Sequence, residues 1–137
     1  MGNAITISCN LRNLKVVRDF VTVFLATYQL SDVLLNQVLV AVDEIVANLI
    51  IHANSEDDSQ FLKLKLGVED QMFSIEIEDA SNQAYTPSNF RDPDLREYIR
   101  QGKKGGVGMA LVNRFMDHVE FETGSNHNVC RLYKRLN

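Results

Sequence analysis

The chain has 137 residues, 45% of them hydrophobic and 23% charged, the composition of one globular domain with a sizeable core. Its formal net charge is −4 and its pI is near 5.3, which argues against a nucleic-acid partner, because binding a phosphate backbone calls for a basic surface. A locally positive pocket for a phosphate group stays compatible with an acidic protein. No charged start with an apolar core suggests a signal peptide, and no apolar run reaches the ~18 residues of a membrane span. A cytoplasmic protein without a membrane partner is therefore expected. The start MGNAIT fits a loose myristoylation pattern, but its alternation reads better as the beginning of a strand. Cys9 and Cys130 sit in apolar, strand-like contexts and are expected as buried free thiols.

Residues 4–9 alternate and predict a short first strand. Asn10 or Asn13 suits the cap of a helix whose Leu14, Val17, Phe20, Val21, Phe24 and Leu25 form an apolar stripe. Ser31 and Asp32 suit the start of a second helix over about 33–53, and residues 54–60 form a polar, acidic loop. Residues 61–68 and 73–78 alternate on either side of a short polar turn, which predicts an antiparallel hairpin. Residues 81–93 are irregular, with Pro87 and Pro93 as breakers, and 95–101 predict a short helix. GKKGGVG, residues 102–108, opens a helix to about Met116. A closing hairpin follows, with strands over 119–123 and 129–136 and a turn at 124–128. Strands bunched between helices predict an α+β layered fold rather than βαβ winding. Without repeats or a linker, residues 1–137 form a single domain.

Two segments and one strand end carry chemistry. In VDEIVANLIIHA, residues 42–53, Glu44, Asn48 and His52 recur every four residues and share one slowly drifting helix face. Val42, Ile45, Val46 and Leu49 occupy the other sides and suit a core. Asn48 offers an amide oxygen of the kind Mg²⁺ accepts beside phosphate ligands. Glu44, one turn earlier, is placed to take a proton from a nucleophile. GKKGGVGMALV leads a glycine-rich loop with Lys103 and Lys104 into a helix start, where unpaired N–H groups favour anions. It matches neither a Walker A loop nor a Rossmann fingerprint. Asp79, at the end of IEIED, is a carboxylate able to accept from an exocyclic amine such as that of adenine. His118 and His127 lack the spacing of metal ligands.

In this order the motifs resemble the GHKL (Bergerat-fold) ATPases, specifically the small anti-sigma factor serine/threonine kinases, over residues 4–136. AVDEIVANLIIHA is similar to the N-box, and GGVGMALVNRFMDHVEF to the second glycine box and the strand after it. The resemblance implies a histidine-kinase-like ATPase fold: a two-layer α/β sandwich with a mixed, mostly antiparallel sheet and helices on one face. It implies Glu44 as catalytic base, Asn48 as Mg²⁺ ligand, His52 as the frequent histidine one turn on, and Asp79 as the adenine-binding aspartate. Lys103, Lys104, Gly105, Gly106, Val107 and Gly108 would meet the phosphates, within and after a lid over 90–105. ATP and Mg²⁺ are the implied cofactors. The implied partner is a STAS-domain anti-sigma-factor antagonist, a sigma factor, or both, and the family often forms homodimers through sheet edges. One departure stands out: where the family reads Asp-x-Gly-x-Gly, this chain reads Asp79-Ala80-Ser81-Asn82-Gln83. Two functions stay open, a protein kinase and a switch module that binds nucleotide weakly and acts by sequestering a partner.

Overall fold

Alternation along the strands decides which side of the sheet is covered. In the computed structural model, which describes residues 3–79, 107–123 and 127–137, five strands form one sheet. They are β1 (Ala4–Ser8), β2 (Phe61–Glu69), β3 (Met72–Asp79), β4 (His118–Thr123) and β5 (Asn128–Arg135), in the order β1-β2-β3-β5-β4. The expected mixed, mostly antiparallel sheet is antiparallel in every pairing among the described residues. Register lines Ile5, Leu64, Ile77, Cys130 and Phe121 in one row across it. Leu62, Leu64, Leu66, Phe73, Ile75, Ile77, Cys130 and Leu132 are buried on that side. On the other side Arg131 bridges Glu76 and Glu122, each at 3.1 Å. The β2–β3 turn places Asp70 and Gln71 at φ 53° and 65°, the left-handed pair that two-residue hairpin loops favour.

Among the described residues three helices cover the apolar face: α1 (Leu14–Leu25), α2 (Asp32–Asn48) and α3 (Val107–Phe115). One core joins Val17 and Val21 of α1, Val42 and Ile45 of α2 and Val112 of α3 to the buried strand residues. Asn10 Oδ1 accepts from the Arg12 amide at 2.9 Å and caps a short 3-10 turn, Leu11–Asn13, that leads into α1. Asn13, the other expected cap, instead donates its Nδ2 to the Ser8 carbonyl at 2.9 Å. Ser31 Oγ accepts from the Leu34 amide at 3.1 Å and caps α2, with Asp32 in the first turn where the helix dipole favours a carboxylate. Cys9 and Cys130 are buried and free, and burial pushes the Cys9 thiol up to about 11.

One expectation is corrected. α2 and the turn that continues it make a 22-residue helix, Asp32–Ala53, long and apolar enough to cross a membrane by length and composition. Its Val38, Ala41, Val42, Ile45 and Val46 are buried in the core. The short helix expected over 95–101, the irregular stretch 81–93 and the lid lie outside the described residues, as do residues 124–126 of the last turn.

Candidate functional site

Glu44 and Asn48 stand one turn apart on α2, both half-buried. His52 follows one turn on and is exposed, where Glu44 and Asn48 are half-buried. At Leu49–Ala53 the α-helix gives way to a π-helical turn, whose wider i→i+5 bonding turns the chain less per residue. The buried Asn54 closes this wide turn by donating its Nδ2 to the Leu49 carbonyl at 2.9 Å. Single π turns inside helices recur at functional sites. Burial first, and the neighbouring Asp43 carboxylate second, raise the Glu44 pKa above its usual carboxylate value of 4.5. Asp43 is itself held by Arg18 of α1, with Nη1 to Oδ1 at 2.7 Å.

Asp79 is the last residue of β3 and faces the helices, buried to 1%. Directly across the register lies Asn128, the first residue of β5, buried to 2%. Asn128 Nδ2 donates to Asp79 Oδ1 at 3.3 Å. Asn128 was not among the residues singled out from sequence, since the strand was expected to begin one residue later. The signal was its phase: Asn128 is in step with Cys130 and Leu132, so a polar side chain falls on the core face, where it needs a partner. Replacing Asn128 with the similarly shaped Leu removes a donor from a buried carboxylate. It should lower stability by about 1–3 kcal/mol, measured as a lower urea midpoint at unchanged slope. An unchanged midpoint would show that Asp79 does not depend on this bond.

Connectivity gathers these residues at one end of the sandwich. The C-terminal end of α2 and its π turn lead through residues 54–60 into β2 at Phe61, and the next residue, Leu62, lies opposite Asp79. α3 leaves its C-terminus toward the opposite end, because His118 at the start of β4 pairs with Tyr133 while Thr123 pairs with Asn128. The N-terminus of α3 therefore points back toward the Asp79 end and turns the positive end of its helix dipole there. Val107 and Gly108 are the first two residues of α3; Lys103, Lys104, Gly105 and Gly106 lie outside the described residues. A separate hollow of about 350 Å³ is lined by Arg18, Asn36, Leu39, Val40, Asp43 and Glu44. It shares only Glu44 with the expected site and runs the other way along α2.

The matching family model is the histidine kinase-like ATPase domain, over residues 7–134. No curated protein matches. Among solved structures, the SiaB–SiaC complex of Pseudomonas aeruginosa is similar at a TM-score of 0.69 and 10% identity, covering 95% of this chain and 87% of that one. The RsbU and RsbW domains of a Mycobacterium tuberculosis protein give 0.66 and 14%, covering 97% of this chain but 32% of theirs. The Erythrobacter litoralis blue-light activated histidine kinase gives 0.53 and 17%, covering 75% of this chain and 45% of that one. At these identities the structures share a fold, and the chain spans under half the length of the latter two. A family model running through nearly every strand and helix just described leaves one conclusion: this chain belongs to the histidine kinase-like ATPase domain family.

Proposed function

We propose that the protein is a cytoplasmic regulatory ATPase domain that phosphorylates a serine or threonine of a STAS-type anti-sigma-factor antagonist, using ATP and Mg²⁺. The observation that carries this reading is Glu44 with its raised pKa, one helical turn from Asn48, on the helix whose C-terminal end lies with Asp79. The donor set fits a magnesium nucleotide: one amide oxygen for a cation that takes most of its other ligands from phosphate and water, and one buried carboxylate for an amine. Bound ATP supplies the transferable phosphoryl group, and Mg²⁺ spreads the charge on its oxygens. Asn48 would hold the cation, Asp79 would accept from the adenine amine, and Lys103, Lys104 and the α3 N-terminus would offset phosphate charge. Glu44 takes the acceptor hydroxyl's proton as that oxygen bonds to phosphorus and the bond to the leaving ADP oxygen breaks.

A second function rests on Ser81 and Gln83. These side chains stand where the resembling family has glycines, and bulk beside a nucleotide favours a switch module that sequesters a sigma factor or STAS protein with weak nucleotide binding. Calorimetry of ATP with Mg²⁺ on the purified chain, alongside phosphate transfer to a STAS protein, separates the two. Binding with transfer supports the kinase, and partner binding without either supports the module.

Asn48→Ala tests the metal role. It should weaken ATP binding by about tenfold or more with Mg²⁺ present and by little when Mg²⁺ is chelated, tenfold corresponding to about 1.4 kcal/mol. Equal loss in both conditions would show Asn48 to be structural rather than a ligand.

A further inference from the structure

We infer that Asn54 is a positioning residue for Asn48: its side chain holds the π turn that sets how the last residue of α2 is presented. This assignment rests on the magnesium role proposed above for Asn48 and names what keeps that ligand in place. Asn48 sits at a junction. The amide of the next residue, Leu49, donates to the carbonyls of both Ile45 and Val46, so the helix tightens there toward i→i−3 bonding. The π turn Leu49–Ala53 starts from Asn48 as its cap and widens the chain at once. Relaxing that turn to α geometry re-aims the backbone that carries the Asn48 side chain. A ligand group works only when held within about 0.5 Å of its productive place.

Nothing within the turn itself calls for the wide form. Leu49–Ala53 contains neither glycine nor proline. Its buried residues, Leu49, Ile50 and Ala53, are spaced i, i+1 and i+4, which an ordinary α-helix buries on one face just as well. The constraint comes from the residues that follow. Asn54 is 7% exposed, and its Nδ2 donates at 2.9 Å to the Leu49 carbonyl, the group that Ala53 would take in an α-helix. Ser55 and Glu56 then adopt φ 53° and 54°, left-handed values that cost stability in any residue with a Cβ. Such conformations persist where the surroundings over-determine them, and they gather at functional sites. Here the Glu56 amide donates to the Ile50 carbonyl at 2.8 Å and the Cys9 amide to the Gln60 carbonyl at 2.9 Å. Asn10 Nδ2 donates to Asp58 Oδ1 at 3.0 Å. The loop is thereby tied both to the turn and to the segment after β1, and Asn54 is the buried side chain that passes this anchorage to the end of α2.

The test is calorimetric titration with ATP, with Mg²⁺ present or chelated, on wild type, Asn54→Ala and a chain lacking Ile51. Ile51 is exposed, so its deletion shortens the i→i+5 turn to α spacing without taking a side chain from the core. Each change should weaken binding by about tenfold or more with Mg²⁺, the usual cost of losing an outer partner of a metal ligand, and by less than about twofold with Mg²⁺ chelated. In an Asn48→Ala background neither change should weaken binding further, because residues that act through one another are not additive. In the nucleotide-free protein, Asn54→Ala should quicken amide hydrogen exchange across 49–54 by about fivefold, the worth of one hydrogen bond. The two changes affect different residues, so if one fails to fold the other decides. Equal loss with and without Mg²⁺, or loss that adds to that of Asn48→Ala, makes Asn54 a purely structural residue and overturns the inference. Unchanged binding in a folded variant, or unchanged exchange, overturns it too, while Asn48→Ala alone still reports on the metal role. If Asn48→Ala shows no Mg²⁺ dependence, or wild type binds no ATP, the magnesium role falls and the positioning role with it.

Discussion

Glu44→Gln should cut phosphate transfer to the acceptor protein by about 10²–10⁴-fold, the usual worth of a positioned general base, with ATP affinity nearly unchanged. Gln keeps the shape of the side chain and can hydrogen-bond, but it cannot take the proton. The same substitution should not destabilise the fold at neutral pH. Burial and Asp43 raise the Glu44 pKa, so the folded protein favours the neutral carboxyl. The stability this contributes is present in full below the ordinary carboxylate pKa and is lost as pH rises through the raised folded value. Gln stays neutral at every pH and so does not lose that contribution as pH rises. Melting temperatures should show the variant equal to or above wild type at neutral pH, with that advantage shrinking in acid. Transfer at the wild-type rate would remove Glu44 from the chemistry. A matching loss of ATP binding would make it a binding residue instead.

Phe73→Ala should destabilise the domain by about 3–5 kcal/mol, a large part of the 5–15 kcal/mol that holds a typical domain folded. Phe73 is fully buried on β3 and lies opposite Val68. Its ring centroid is 6.2 Å from that of Phe24 at a 46° tilt, so one side chain ties the sheet to α1. Truncation leaves a cavity that neither layer can close without moving the other. Phe61, in the same sheet but 54% exposed, is the control, and its change to Ala should cost no more than about 0.5 kcal/mol. The check is the urea midpoint at constant slope. A loss below about 1 kcal/mol at Phe73 would mean that α1 is not anchored through that ring.

Much of the framework is carried by local patterns that any reader of the chain can find. A strand with one covered face repeats every second residue, which is why 61–68 and 73–78 read as strands with Leu62, Leu64, Leu66, Phe73, Ile75 and Ile77 inward. Ser31 before α2 declares itself by the short oxygen it offers to the Leu34 amide. Glu44 and Asn48 share a face because four residues are little more than one α-helical turn. Asp79 falls at a strand end for the same local reason. The family follows from these elements and their order, because its model runs over residues 7–134.

What depends on tertiary structure joins residues far apart or bends a local rule. Asn128 and Asp79 are 49 positions apart, and only the antiparallel register of β3 with β5 makes one the donor to the other. Arg18 and Asp43 are 25 apart, and the packing of α1 against α2 creates both their contact and the hollow above it. The helix widens into a π turn at Leu49–Ala53, where the buried Asn54 takes the Leu49 carbonyl, a choice that spacing in an ideal α-helix cannot foresee. By itself the sequence determined the described strands and helices, the Glu44–Asn48 face and the family. The partner of Asp79, the π turn closed by Asn54 and the hollow beside Glu44 were decided by tertiary structure, because hydrogen bonds and cavities between distant segments exist only once the layers have packed.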